Sequence, residues 1–161
     1  MMPEAVVVTK EKTAAVIKRD ARGVPFIDAA NEMELYFAQG YATASDRLWQ
    51  MDFLRRTARG ELAEIFGAGA VEVDKLHRVY GFRRVAEDLL ARASAHTREV
   101  LESYARGVNA FIAQCALPLE FQALRYQPGP WTAVDSVALG KAVCRETLLH
   151  CRCGHFSCVV E

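Results

Sequence analysis

A mostly helical α+β protein, with two or three short strands at its N-terminus, is the fold class that the sequence predicts. Two observations predict it. Short β-branched runs occur only before Asn31, and from Asn31 onward the apolar residues recur at intervals of three and four. The 161 residues suffice for one domain with a core of its own.

Each element follows from its residues. Residues 5–9, "AVVVT", and 14–18, "AAVIK", are short and β-branched and read as strands. Gly23 permits a turn, and Pro25 holds Val24 extended ahead of a third strand, Phe26 to Ala29. Asn31 is a helix cap with Glu34 reaching back to it. Phe37, Tyr41, Ala44, Leu48 and Met51 then form a stripe that faces a core. It continues less strictly to Leu62, Ile65 and Phe66, with a break at Gly60 and a stop at Gly67. A further helix spans Phe82 to Ala93. Ser94 caps the next, whose stripe is Leu101, Tyr104, Val108, Phe111 and Cys115. The two stripes are expected to pack on each other. After the proline-punctuated "LPLEFQALRYQPGPW", a capping box of Thr132 and Asp135 opens the last helix at Ala133.

Composition excludes some function classes. Lysine plus arginine equals aspartate plus glutamate at 20 each, so the chain has no net electrostatic footprint for nucleic acid or an anionic membrane. No apolar run is long enough to span a bilayer, and "MMPEAVVVTKEKT" lacks a secretory pattern. As given, the chain is expected to be soluble and cytoplasmic. Five cysteines, three of them crowded at the end, do not form a disulfide framework.

The stretch "DRLWQMDFLRRTARGE" is dense in charge. Arg55, Arg56 and Arg59 read as a helix surface on which Asp52 pairs three and four residues ahead, so nucleic-acid binding is not expected. Asp46, Arg47 and Gln50 lie beside the apolar stripe, and at least one is expected to point inward. Asp46 is the residue expected to be a buried structural carboxylate, and Arg59 is expected on the solvent side.

The order of motifs "RDARGVPFIDA", "FAQGYATASDRLWQMDFLRRTARGELAEIFG", "ESYARGVNAFI" and "PLEFQALRYQPGPWTAVDSVALGK" resembles the penicillin acylase family, which includes penicillin G, cephalosporin and acyl-homoserine-lactone acylases. The resemblance runs from about Val16 to Lys141. It implies an αββα N-terminal-nucleophile hydrolase, made as a precursor that cuts itself into a small α and a large β subunit. The β subunit opens with the catalytic serine, whose own α-amine acts as base. This chain resembles the helical start of the α subunit, so no catalytic residue is expected in it, and its partners are the β subunit and a small N-acyl substrate. Relatives in the family are often periplasmic.

The likeness has departures. Phe26 stands where the family commonly has histidine, and Ser45 where glutamine is frequent. The resemblance puts pocket-lining residues on the last helix, at Cys144 and Leu148. It also allows a calcium-binding glutamate in that stretch, for which no convincing equivalent is present, so no cofactor is expected. Residues 1–143 are taken as the α-subunit-like region and 144–161, "CRETLLHCRCGHFSCVVE", as an atypical tail from a shifted frame or early stop. Cys151, Cys153, His155 and Cys158 could instead supply four ligands to zinc. A non-catalytic helical scaffold is the remaining alternative.

Overall fold

Strands β1 (Val6–Lys10), β2 (Thr13–Arg19) and β3 (Pro25–Asp28) form an antiparallel sheet in the order β1-β2-β3. The computed structural model describes the backbone of residues 6–10 and 13–152 and the side chains of residues 15–145. The register pairs Val7 with Val16 and Ile17 with Ile27. Gly23, at φ +82°, makes the turn between β2 and β3, as its lack of a Cβ allows. Among the described residues seven α-helices follow: α1 (Glu32–Arg59), α2 (Ala63–Phe66), α3 (Val71–Tyr80), α4 (Phe82–Arg92), α5 (Ala95–Gln114), α6 (Leu119–Ala123) and α7 (Ala133–Arg152). A 3-10 turn over Gly67–Ala70 links α2 to α3. This is the mostly helical α+β class expected, with three strands.

The chain divides into two compact units. One comprises the residues up to Asp52 together with Ala93–Ala133; the other comprises Phe53–Arg92 and the chain from Val134 onward.

In the first unit, alternation along β2 puts Ala15 and Ile17 on one face, where they pack on Ala38 and Ala42 of α1. The expected stripes meet: Ala44, Leu48 and Met51 of α1 share a cluster with Ala105, Val108 and Phe111 of α5. Two glycines set this contact. A Cβ on Gly107 would stand 1.9 Å from the Phe37 carbonyl oxygen, and one on Gly40 would stand 2.1 Å from that of Tyr104. Phe121 of α6 closes the cluster, with its ring 5.5 Å from Trp49 and 5.2 Å from Tyr126. Ser94 caps α5 by accepting from the Thr97 N–H at 3.0 Å. Asn31 caps α1 in the same way through the Glu34 N–H, at 3.0 Å. The reciprocal half of that box does not form, since Glu34 Oε2 is buried without a hydrogen-bond partner among the described residues.

In the second unit Ala58, Phe82, Ala86 and Ala138 form the core. Helix α1 ends where Gly60 takes φ +68°, and α2 ends at Gly67.

Two expectations about α1 are reversed. Asp46, Arg47 and Gln50 are all exposed, and Asp46 forms a surface ion pair with Arg19 at 2.7 Å. Arg19 also donates to Ser45 Oγ and to the Gly23 carbonyl, both at 2.9 Å, so it ties the β2–β3 turn to the helix. Arg47 leaves helical geometry, with φ −146° and ψ 25°, two residues after Ser45 donates to the Ala42 carbonyl. Such back-bonding by serine loosens a helix. The buried charges are instead Asp52, 1% exposed, and Arg55, 4% exposed. The stripe explains the burial of Arg55. Continued at its own four-and-three spacing beyond Met51, it reaches Arg55, Ala58 and Leu62, so Arg55 occupies a core position.

Candidate functional site

Helix α7 carries both predicted site residues, so what fixes its start is the first question. The segment ahead of it is held by Asn109 on α5, whose amide donates to the Trp131 carbonyl at 2.8 Å and accepts from the Trp131 N–H at 2.7 Å. A second tie in the same unit is the Tyr126 hydroxyl, which donates to Asp52 at 2.8 Å. In the other unit Asp135, at the third position of α7, is 1% exposed. Its carboxylate accepts from Arg59 and lies 3.9 Å from the Arg55 guanidinium. Arg59 is therefore not a solvent-side residue: it bridges Asp135 and Glu61. A carboxylate this buried requires such cations, because removing one partner would strand the other charge.

Farther along, Cys144 is exposed and its thiol is free. Leu148 lies on the same face by helical register, and its side chain is outside the described residues. Between them the Arg145 guanidinium sits 3.6 Å above the Tyr80 ring, which is itself edge-on to His77. Cys151 is described by its backbone alone, and Cys153, His155 and Cys158, the rest of the possible zinc set, lie outside the described residues. Among the described residues no three His, Cys, Asp or Glu side chains converge as metal ligands. The buried carboxylates are engaged otherwise: Asp52 by a phenol, Asp135 by guanidiniums, and Asp74 by the N–H groups of Leu62 and Ala63.

The described titratable groups support anchoring more than catalysis. Tyr41 bonds to the Cys115 thiol at 3.4 Å, and that bond together with burial pushes its pKa up to about 12. Burial raises the Tyr104 hydroxyl as well. The Arg83 guanidinium is held charged by its bond to Glu87, with Glu61 and Asp135 adding to the effect. All three groups keep their ordinary protonation state at neutral pH. No helix among the described residues is long and apolar enough to cross a membrane.

Residues 14–149 match the family model for penicillin amidase. The chain belongs to that family. It is 40% identical over 124 residues to penicillin acylase 2 proenzyme from Pseudomonas sp. strain SE83, a match that takes in 76% of this chain and 16% of the relative. With the acyl-homoserine lactone acylase QuiP of Pseudomonas aeruginosa it shares 41% over 122 residues, covering 74% of this chain and 14% of that protein. Its fold is similar to a solved thermostable penicillin G acylase from Alcaligenes faecalis, with a TM-score of 0.79 at 30% identity, over 87% of this chain and 76% of the solved one. The chain thus spans about a sixth of the length of the curated relatives but most of that solved chain. The family match runs beyond residue 143 to residue 149, and α7 runs on to Arg152.

Sequence reasoning misses the buried Arg55–Arg59–Asp135 cluster and the whole of α3. A usable signal exists for the cluster, since Arg55 falls on the apolar stripe and Asp135 stands in the first turn of α7.

Proposed function

We propose that this chain is the α-subunit-like part of a penicillin-acylase-type amide hydrolase, which cleaves the acyl group from N-acyl substrates such as β-lactams or acyl-homoserine lactones. The observation that carries the reading is the family match over residues 14–149. In this reading the nucleophile is a serine that opens a separate β subunit, and its own α-amine takes the hydroxyl proton. An α-amine titrates near pH ~8, so it can act as base without a histidine. Backbone donors then stabilise the tetrahedral oxyanion. The difference in coverage supports the division into chains: the proenzyme relative is several times longer than this chain, whereas the solved penicillin G acylase chain is comparable to it. The role of this chain is to present α7 to the acyl pocket, with Cys144 and Leu148 lining it. The tie of Asp135 to Arg59 supports that role, because a helix that shapes a pocket must be held at a fixed start.

The test begins with the coding DNA. All three frames downstream of codon 144 are read for a region that opens with serine after a linker, and the product containing it is assayed on phenylacetyl and medium-chain acyl anilides beside this chain alone. Turnover is expected from the longer product and none from the chain. Turnover by the chain itself, abolished by a point change within it, would refute the reading.

A further inference from the structure

Arg145 occupies a position on α7 that the rest of its stripe gives to aliphatic side chains. Val134, Ala138 and Ala142 recur at intervals of four and pack with the core of Ala58, Phe82 and Ala86 in the same unit. The next position on that stripe, three residues on, is Arg145. The flanking Val143 and Cys144 are exposed, so past Ala142 the stripe continues with a cation. Its guanidinium lies 3.6 Å above the centre of the Tyr80 ring. Two further rings fix the orientation of Tyr80: Phe82 of the core stands 5.6 Å away, and His77 meets it edge-on at 5.8 Å. His77 is itself held, with Nδ1 2.9 Å from the Val73 carbonyl oxygen. A planar guanidinium laid on an aromatic face is a directional contact, unlike the contact of one aliphatic side chain with another.

We infer that Arg145 and Tyr80 are positioning residues for acyl-chain selectivity: their stack fixes the rotation of α7 about its own axis, and so sets how long and how bulky an acyl group is accepted. The inference rests on the functional reading above, in which Cys144 and Leu148 line the acyl pocket. Helix geometry links the two pairs. Successive residues are about 100° apart, so Cys144 is one step from Arg145, and Leu148, three residues on, lies about 60° away. A turn of α7 that carried Arg145 off the ring would swing both by the same angle. At the helix surface, about 5–6 Å from the axis, a turn of about 20° moves a side chain by about 2 Å, more than one methylene adds to an acyl chain. An apolar pocket discriminates one methylene by about 10- to 200-fold, so a rotation of that size is enough to change the preferred substrate.

The test has two arms. The first uses the full chain and does not depend on activity. Tyr80→Leu removes the ring face and Arg145→Met removes the cation, and in both the amides of residues 139–149 should exchange hydrogen about threefold faster or more. Tyr80→Phe keeps the face and should match the parent. Parent-like exchange in the Leu and Met variants overturns the stack as what holds α7. The second arm uses a chimera in which residues 14–149 replace the matching stretch of the Pseudomonas sp. strain SE83 proenzyme, assayed on phenylacetyl and medium-chain acyl anilides. Its readout is the ratio of the two kcat/KM values, which a loss of folded or cleaved enzyme leaves unchanged because it scales both alike. Tyr80→Leu and Arg145→Met should shift the ratio in the same direction by about fivefold or more, and Tyr80→Phe should restore it. If Tyr80→Leu gives no cleaved enzyme, Arg145→Met alone supplies the ratio. An unchanged ratio beside faster exchange overturns the positioning role and leaves the subunit reading standing. A shift in Tyr80→Phe equal to that in Tyr80→Leu assigns the effect to the hydroxyl and likewise overturns the inference. A parent chimera that hydrolyses neither anilide overturns the functional reading and the inference with it.

Discussion

Replacing Gly107 with alanine should destabilise the chain although alanine is the better helix former. Position 107 lies inside α5, where the exchange ordinarily gains about 1 kcal/mol. Its Cβ, however, would stand 1.9 Å from the Phe37 carbonyl oxygen, 2.8 Å from that carbonyl carbon and 2.9 Å from the Tyr41 nitrogen. All three are backbone atoms of α1, so no rotamer change relieves them. The helices must separate by about 1 Å to restore normal contact, and a gap of that size forfeits a quarter to a half of each dispersion contact across the seam. Those contacts include Ala44, Leu48, Val108 and Phe111. Overpacking against rigid surroundings costs about 3 kcal/mol at the upper end, so the expected net loss is about 2 kcal/mol. Gly140 is the control. It lies in α7, is exposed and has nothing within 4 Å of where a Cβ would stand, so Gly140→Ala should gain up to about 1 kcal/mol. Urea melts read both through the midpoint, with a fall of roughly 1 M expected for Gly107→Ala. Equal midpoints for the two variants, or a rise for Gly107→Ala, would refute the backbone-contact reasoning.

The remaining predictions concern charge and caps. Asp135→Ala should cost about 3 kcal/mol because it removes a buried carboxylate that accepts from Arg59 and lies beside Arg55, whereas Asp46→Ala, on the surface pair with Arg19, should cost no more than about 1 kcal/mol; comparable losses in urea melts would mean that burial is misassigned. Tyr41 keeps its proton up to about pH 12 in the folded chain but releases it near 10 when unfolded, so its contribution is fully present below pH 10 and is lost as pH rises from 10 to 12. Tyr41→Phe should flatten that part of the stability–pH curve relative to the parent, and parallel curves would count against the Cys115 bond as the cause. Ser94→Ala should cost about 1 kcal/mol through the lost Thr97 N–H bond, read as a lower thermal midpoint, and an unchanged midpoint would show that the cap contributes nothing.

The elements legible in the sequence are those in which one periodicity prevails. The α1 and α5 stripes, the Ser94 cap, the Gly60 break and the start of α7 at Ala133 all follow from local spacing and cap chemistry. Asp46 and Arg59 lie on faces opposite to those expected for a shared reason: the expectation weighs charge above register. The spacing that leads from Phe37 to Met51 points on to Arg55, and Asp135, far along the chain, is one of the charges beside its buried guanidinium. That partner is a tertiary fact, invisible within one helix. Helix α3 escapes a sequence reading because its aliphatic residues face outward and its buried residue is an aspartate, the reverse of the pattern by which helices are recognised. Cys144 and Leu148 are placed by family resemblance alone, and both lie on α7.

The turn at Gly60 also bears on how the chain responds to ionic strength. Asp74 is satisfied by two amide N–H groups, at 2.9 and 2.7 Å, in a place that water scarcely reaches. Such a bond set uses fixed dipoles instead of a mobile counter-ion, so added electrolyte has little to screen. The Arg19–Asp46 tether is the opposite case, with its side chains 30% and 39% exposed. At 1 M salt the screening length falls to about 3 Å, comparable to the separation of that pair. Concentrated salt should therefore loosen the hold of the β2–β3 turn on α1 while the corner between α1 and α3 stays closed. The middle of one long helix and the turn that follows it would then differ in their sensitivity to the same solvent change.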